Sequence, residues 1–215
     1  MKKALVIGGT SGIGKVIAEI LDETHTVVSV GRKEWNFIKD PCPYDIGTFD
    51  TVVFSAGVET GGNQNFVNQS TEDIEQILQT NLVKQIHWSR VYCERHQGPG
   101  HVVFVGSAHS MEKVSPHKLM YCVSRIAIRE YILGARRELA EVKPDITFSL
   151  LRPGCTRTNF YRNKWHGNVT QEQEEAYYKS MEPYMSVDDI RPYMEGILNG
   201  SLKYAQEIIF SAIPT

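Results

Sequence analysis

A tyrosine and an arginine lie four positions apart in the segment YCVSR, as Tyr121 and Arg125, within a stretch that predicts a helix. At that spacing both side chains project from one helix face, one turn apart. A phenol beside a permanent cation can donate and recover a proton, because the cation stabilises the phenolate form. The same pair could also lie on a solvated helix surface. Residues in other segments are therefore needed to distinguish a catalytic pair from a surface pair.

The position of Ser107 favours a catalytic role for Tyr121 and Arg125 over a solvated surface pair. It follows the apolar run HVVFVG, which predicts the strand immediately before the helix of Tyr121. Gly8, Ser55 and Pro153 also come at the ends of predicted strands. Ligands of open parallel sheets bind at the carboxyl ends of the strands, so these four segments are expected to meet at one site.

The elements that must position these residues are short apolar runs that alternate with helical stretches. Strands are predicted at 4–8, 25–31, 35–40, 51–57, 101–107, 146–151 and 207–210, and helices at 13–23, 71–97, 118–141 and 187–199. Most strand runs are continuously apolar, as parallel strands covered on both faces are. The pattern predicts an α/β fold with a single Rossmann-type, doubly wound parallel sheet of about seven strands and helices on both faces.

Residues 1–215 are expected to form one domain, since the chain shows no internal repeat, linker or low-complexity tract. Segment 155–186 departs from the alternation because it is polar and aromatic and has no strand pattern. It is too long for a loop without secondary structure in a compact domain, so we expect a lid or a small helical insertion. Its aromatic residues could clasp a bulky substrate or pack a small core of the lid itself.

The bulk composition excludes several classes of protein. The chain is 41% hydrophobic and 22% charged, with a formal net charge of -2 and a pI near 6.4. This balance gives no general attraction to nucleic acid or to membrane surfaces, so neither is expected as a partner. No apolar run approaches the roughly 20 residues that span a bilayer.

The four cysteines, Cys42, Cys93, Cys122 and Cys155, lie far apart and form no C-x-x-C pair. The sequence therefore predicts neither a metal site nor a disulfide framework. A reducing cytoplasm is the expected location, because unpaired cysteines are usual there.

A glycine-rich turn, VIGGTSGIG, follows the first predicted strand and opens the first predicted helix. Gly8, Gly12 and Gly14 allow unusual backbone angles, close approach of a phosphate and tight contact between helix and strand. The helix N-terminus then presents free N–H groups to a pyrophosphate. The turn, including Thr10, Ser11 and Ile13, is a candidate dinucleotide site.

The second predicted strand ends in SVGRK, with Gly31 where NAD-binding proteins carry a carboxylate. Arg32 and Lys33 follow directly. Adjacent cations without a carboxylate suit the 2′-phosphate of NADP, so NADP(H) is expected over NAD(H). The alternative is a pair of solvated surface cations.

Six short motifs in order make the chain resemble a classical short-chain dehydrogenase/reductase over nearly its whole length. The glycine turn matches the first motif, and Ser55, Ala56 and Gly57 stand at the family's N-A-G signature. Asn81 corresponds to the asparagine of the family's fourth helix. Asn36, near the third predicted strand, could replace the family's adenine-contacting aspartate.

The remaining motifs come from the second half of the chain. Ser107 matches the family's serine, and Tyr121 with Arg125 occupies its Y-x-x-x-K motif. The stretch PGCTRT matches P-G-x-x-x-T, which makes cofactor-binding candidates of the following residues: Pro153, Gly154, Thr156 and Thr158. The resemblance implies an oxidoreductase that reduces a small carbonyl compound or oxidises the matching alcohol, as a homodimer or homotetramer.

By resemblance, Tyr121 is the general acid/base, Ser107 polarises the substrate carbonyl, and Asn81 belongs to a proton relay. Arg125 departs from the family lysine that holds the nicotinamide ribose and favours the phenolate. A guanidinium keeps the charge and can bind two ribose hydroxyls, but it is broader and does not release its proton. The expectation is a working reductase, with a weak or inactive NADP(H)-binding sensor or scaffold as the alternative.

Overall fold

The computed structural model describes residues 1–60, 65–108, 118–164, 169–180, 184–202 and 208–210. Its strands are β1 (Lys2–Ile7), β2 (His25–Val30), β3 (Thr51–Phe54), β4 (Gly100–Val105), β5 (Ile146–Pro153) and β6 (Ile208–Phe210). They form one parallel sheet in the order β2-β1-β3-β4-β5-β6. The α/β Rossmann-type architecture predicted from the sequence is confirmed, with six strands in the described part of the chain.

The helices connect the strands as crossovers on both faces of the sheet. They are α1 (Gly12–Asp22), α2 (Thr71–Leu78), α3 (Lys84–Arg95), α4 (Leu119–Val142), α5 (Phe160–Lys164), α6 (Gln171–Ser180) and α7 (Arg191–Leu198). A π-helical turn, Gln79–Val83, joins α2 to α3, and single 3₁₀ turns occupy Ile46–Thr48 and Val187–Ile190. No helix among the described residues is long and apolar enough to cross a membrane.

Two apolar clusters cover the two faces of the sheet. Leu5 and Phe104 belong to the cluster beneath α3 and α4, whereas Val6 and Val103 belong to the cluster beneath α1 and α7. Consecutive strand residues therefore enter opposite cores, as the period of two along a strand requires. This explains why the strand sequences are continuously apolar.

The strand predicted at 35–40 is wrong. The backbone turns there, and the N–H groups of Lys39 and Asp40 both donate to the carbonyl of Asn36. Trp35 and Phe37 are buried against α3, where Trp88 packs at 5.2 Å from Trp35 and donates its indole N–H to the Phe37 carbonyl. Two aromatic rings buried beneath a helix thus occupy the segment in which a third strand was predicted.

The first strands end at a common edge, which brings their following loops together. Ile7 is paired with Val30 on one side and with Phe54 on the other, so the turns after β1, β2 and β3 begin at one level. Phe54 is paired in turn with Phe104 of β4, and Val105 with Leu151 of β5. The residues that follow these strands therefore surround one region of the sheet edge.

Candidate active site

A cavity of about 1000 Å³ opens at this carboxyl edge. It is lined by every candidate residue of the sequence analysis except Asn81, namely Gly8, Thr10, Ser11, Gly12, Ile13, Gly14, Arg32, Asn36, Ser55, Ala56, Gly57, Ser107, Tyr121, Arg125, Pro153, Gly154, Thr156 and Thr158. A site of this kind at the strand ends is the usual binding position of an open α/β sheet.

The glycine turn is shaped for close contact with a ligand backbone or phosphate. Gly8 and Gly12 have φ values of 88° and 52°, which side chains disfavour. A Cβ on Gly8 would lie 2.5 Å from the Ala56 nitrogen, and one on Gly14 would lie 2.1 Å from the Gly8 carbonyl oxygen. The turn therefore needs glycine at these positions, and α1 begins directly at the cavity. These features fit the pyrophosphate of a dinucleotide.

The end of β2 holds a carboxylate that the sequence analysis missed. Glu34 accepts a hydrogen bond of 2.8 Å from the Gly31 N–H, beside the exposed Arg32 and Lys33 that line the cavity. The spacing of three residues between Gly31 and Glu34 is the available signal, because a turn brings such positions together. Asn36 lies in the same turn and accepts a hydrogen bond from the Ile38 N–H.

Tyr121 lies in the first turn of α4, half-buried at the cavity wall. Its ring faces Phe160 of α5, with 5.8 Å between the ring centroids. The guanidinium carbon of Arg125 lies 5.2 Å from the centroid of the Tyr121 ring. This is a cation–π distance, so the four-residue spacing in the sequence places the two groups in contact.

The Arg125 side chain is buried rather than solvated, with 5% exposure. Its Nη1 donates to the Val105 carbonyl at 3.2 Å, whereas its Nε has no hydrogen-bond partner. Nη2 faces Gly57 so closely that a Cβ there would lie 2.1 Å away. No carboxylate of the described residues forms an ion pair with Arg125, so this guanidinium has donor capacity left for a ligand in the cavity.

Asn81 lies outside the cavity lining, in the π-helical turn before α3. Its amide accepts from the Val58 N–H at 2.8 Å and donates to the Val58 carbonyl and to the Ser124 hydroxyl, at 2.8 and 3.1 Å. The side chain is fully buried. Asn81 therefore holds the loop after β3 against α4. Its position in a π-helical turn fits a functional site, because such turns are frequent there.

Ser107 is buried at 7% exposure directly after β4, on the same cavity wall as Tyr121. Its carbonyl accepts from Nε of Arg152, a buried side chain of β5. The backbone at Ser107 is thus fixed by the neighbouring strand, and β4 and α4 bring Ser107 and Tyr121 into one cavity.

Lys118 and Glu59 are two more polar residues of the cavity that were not found from the sequence, whereas their neighbour Tyr177 is one of the aromatic residues of the predicted lid segment. Lys118, at the N-terminus of α4, donates to the Tyr177 hydroxyl at 3.2 Å and forms a 4.0 Å ion pair with Glu59. Burial disfavours the charge of Lys118, but Glu59 and Tyr177 favour it more strongly, and the pKa of Lys118 is raised. Lys118 precedes Tyr121 by one helical turn, which is the signal that the sequence offered.

The segment predicted as a lid carries α5 and α6 on the cavity side. The Tyr178 hydroxyl donates to the Thr158 carbonyl at 2.7 Å, and the Thr158 side chain would be 3.3 Å from a Cβ on Gly12. The segment is thereby connected to the glycine turn. Residues 165–168 and 181–183 of the predicted lid, including Trp165 and His166, lie outside the described residues.

Residues 38–168 match the short chain dehydrogenase family model. This match covers more than half of the chain, from before β3 to beyond α5. The chain therefore belongs to the short-chain dehydrogenase family of NAD(P)-dependent oxidoreductases.

Known relatives and solved structures are similar along most of the chain. A 3-ketodihydrosphingosine reductase of Dictyostelium discoideum is 24% identical over 258 aligned positions, which cover 96% of this chain and 75% of the relative. An uncharacterized oxidoreductase of Staphylococcus saprophyticus is 22% identical, with 85% of each chain covered. Both identities are low, so they support the family more than any particular substrate.

The folds of two solved structures agree with the topology described above. The 3-oxoacyl-[acyl-carrier protein] reductase of Brucella melitensis in complex with NAD has a TM-score of 0.75 at 19% identity, with 98% of this chain and 95% of that chain covered. A short chain dehydrogenase of Burkholderia cenocepacia in complex with NADP has a TM-score of 0.67 at 19% identity, with 92% and 90% covered.

The contact between Gly57 and Arg125 predicts a pair of opposite stability effects. Gly57→Ala places a methyl group against the buried Nη2 and is expected to lower the free energy of unfolding by about 1–3 kcal/mol. Gly134→Ala, within α4 where nothing lies within 4 Å, is expected to raise it by about 0.5–1 kcal/mol. Urea unfolding of the purified variants measures both. Equal stability of the two variants would show that Arg125 does not press on Gly57.

Proposed function

We propose that the chain is an NADP(H)-dependent reductase of small carbonyl compounds, or a dehydrogenase of the matching alcohols, with Tyr121 as the acid/base. The observation that carries the proposal is the buried Arg125 guanidinium against the Tyr121 ring, at the wall of a cavity that begins at the glycine turn. The Dictyostelium relative, named a 3-ketodihydrosphingosine reductase, supports reduction of a ketone.

In this proposal the dinucleotide supplies the hydride, and the chain's own residues handle the substrate oxygen. Ser107 donates a hydrogen bond to that oxygen and polarises the carbonyl. Tyr121 protonates the oxygen as negative charge develops on it. Arg125 stabilises the resulting phenolate, because its charge lies against the phenol ring. The half-buried ring of Phe160 packs against the Tyr121 ring.

Arg125 takes the place of the family lysine in this proposal. Its unpartnered Nε and the Nη2 group beside Gly57 are the donors for the nicotinamide ribose hydroxyls. Both N–H groups of the Asn81 amide are committed, to the Val58 carbonyl and the Ser124 hydroxyl, and its oxygen accepts from the Val58 N–H, so its role is to hold the loop of Gly57 in place. A relay that uses the Asn81 N–H groups would require these bonds to break.

The preference for NADP(H) is supported by Arg32 and Lys33, two exposed cations at the cavity end where β2 stops. Glu34 opposes it, because its carboxylate would repel a 2′-phosphate nearby. One oxygen of this carboxylate accepts a hydrogen bond from the Gly31 N–H, which holds the Glu34 side chain in the turn. Two cations against one carboxylate favour the phosphate. The remaining cofactor contacts are assigned to Asn36, Ser55, Pro153, Gly154 and the threonines 156 and 158.

We further propose one catalytic domain, with segment 155–186 as a lid over the substrate, and assembly into a homodimer or homotetramer. The assembly is supported by exposed apolar side chains at the start of α3 and α4, namely Val83, Leu119 and Val123. A reducing cytoplasmic setting is supported by the four cysteines, none of which forms a disulfide bond in the described part of the chain.

Loss of the phenol hydroxyl tests the acid/base. Tyr121→Phe is expected to lower kcat at least about 100-fold, because general acid catalysis contributes this much. Binding of NADPH should change little, since the ring remains to pack against Arg125. Turnover of a panel of ketones, aldehydes and alcohols by nicotinamide absorbance, with NADPH binding by fluorescence, measures both. Tyr44→Phe, outside the cavity, is the matched control, and unchanged turnover in Tyr121→Phe would refute the assignment.

The end of β2 predicts opposite effects of two substitutions on cofactor choice. Arg32→Ala is expected to weaken NADPH binding about tenfold and leave NADH binding nearly unchanged, since a charge-assisted bond to the 2′-phosphate is lost. Glu34→Gln is expected to strengthen NADPH binding, because a repelling carboxylate is removed. Fluorescence titration gives the dissociation constants, and the exposed Arg90→Ala serves as the control. Equal weakening of NADPH and NADH in Arg32→Ala would remove Arg32 from the phosphate site.

A further inference from the structure

Lys118, Glu59 and Tyr177 form a polar cluster at the substrate side of the cavity, on three different elements. Glu59 follows β3, Lys118 is at the N-cap position of α4, and Tyr177 belongs to α6. All three residues line the cavity with Tyr121. None of the cofactor-binding assignments above uses them.

The cluster offers two neighbouring hydrogen-bond donors. Lys118 carries three N–H groups, and among the described residues one of them is committed, to the Tyr177 hydroxyl at 3.2 Å. The 4.0 Å separation from Glu59 is too long for a hydrogen bond, so Glu59 holds the ammonium by charge alone. Tyr177 accepts from Lys118 and keeps its own proton to donate. Burial also raises the pKa of Tyr177, which keeps that hydroxyl protonated at neutral pH.

The charges that line the cavity favour an anionic ligand. They comprise five cations, Arg32, Lys33, Lys39, Lys118 and Arg125, and three carboxylates, Glu59, Glu72 and Glu75. Glu59 is buried at 5% exposure and lies 4.0 Å from Lys118. The described lining therefore has more cations than carboxylates, and Lys118 is the cation of the cluster that can attract an anion.

The cluster also lies at a defined place relative to the reacting oxygen. Lys118 is the N-cap residue of α4, and Tyr121 is the third residue of that helix. Both side chains line the cavity, and the Tyr121 phenol is one of the groups that raise the pKa of Lys118, so the two groups lie near each other. A substrate whose carbonyl oxygen contacts the Tyr121 hydroxyl can therefore present a neighbouring group to Lys118.

We propose that Lys118 and Tyr177 bind a carboxylate of the substrate, so that the substrate is an oxo acid in reduction and a hydroxy acid in oxidation. The inference rests on the proposed function, because it places the carbonyl at Tyr121. The carboxylate accepts one hydrogen bond from the Lys118 ammonium and one from the Tyr177 hydroxyl. Glu59 orients the ammonium from behind. The carboxylate is unchanged by the reaction, in which hydride reaches the carbonyl carbon and the Tyr121 proton reaches its oxygen.

The test compares oxo acids with their amides, which share the ketone and lack the charge. The probes are pyruvate, acetoacetate and levulinate, each against its amide, with NADPH in excess. The wild-type protein should favour at least one acid over its amide in kcat/KM. Lys118→Met should raise KM for that acid about tenfold or more, with little change for the amide, because a hydrogen bond to a charged group is lost. Lys118→Arg should recover a large part of the acid preference.

The control uses the other end of the same helix. Lys143 follows α4 and donates to the His96 carbonyl at 3.0 Å, far along the chain from the cluster. Lys143→Met removes a partly buried lysine and should leave both KM values unchanged. Lys118 makes no side-chain cap hydrogen bond to α4, so its replacement removes no helix cap.

Each outcome decides the inference separately from the proposed function. An acid preference that survives Lys118→Met overturns the carboxylate subsite. The inference is equally wrong if amides and other neutral carbonyls are reduced while every acid is ignored, and the reductase assignment then stands. If NADPH does not bind at all, the proposed function itself fails.

Discussion

The buried guanidinium of Arg125 is the feature on which the arrangement of the cavity depends. Removing a charge from water costs several kcal/mol unless the charge finds partners. Among the described residues the partners of this guanidinium are the Val105 carbonyl, which accepts from Nη1, and the Tyr121 ring, while Nη2 lies against Gly57. Such a cation is maintained by the surrounding structure rather than by its own contacts. A ligand that supplies further oxygen acceptors would offset the desolvation cost of this guanidinium, as the hydroxyls of a nicotinamide ribose would in the proposed function.

The surrounding structure fixes Arg125 from two sides. Gly57 follows β3 and leaves no room for a side chain where Nη2 lies, and the loop of Gly57 is held by the Asn81 amide through Val58. The Ser124 hydroxyl, one residue before Arg125, receives the remaining N–H of the same amide. The π-helical turn thus connects the loop after β3 to α4.

The sequence predicted the parts of the site that depend on local spacing. The four-residue interval between Tyr121 and Arg125 and the glycine turn before α1 both lie within single elements, where helix and turn geometry determines the outcome. The parallel sheet followed from the continuously apolar runs. The segment 35–40 failed because the partner of its aromatic residues is Trp88, which lies far away in sequence. A short run with apolar residues does not by itself distinguish burial beneath a helix from pairing in a sheet.

The cluster of Lys118, Glu59 and Tyr177 was missed for a related reason. Its members come from three elements that are far apart in sequence, and only the fold brings Lys118 to within 3.2 Å of the Tyr177 hydroxyl and 4.0 Å of the Glu59 carboxylate. Asn81 shows the converse, because its position was found by motif while its amide is engaged with the backbone of Val58. Motifs thus identify positions, whereas the number of donors and acceptors left for a ligand is known only from the folded chain.

The stabilising role of the buried guanidinium is tested most directly by a crystal structure with bound NADP⁺. We expect Nε or Nη2 of Arg125 to lie within hydrogen-bond distance of a nicotinamide ribose hydroxyl, with the guanidinium still against the Tyr121 ring. An Arg125 side chain turned into solvent, or a ribose bound out of its reach, would contradict this view of the site.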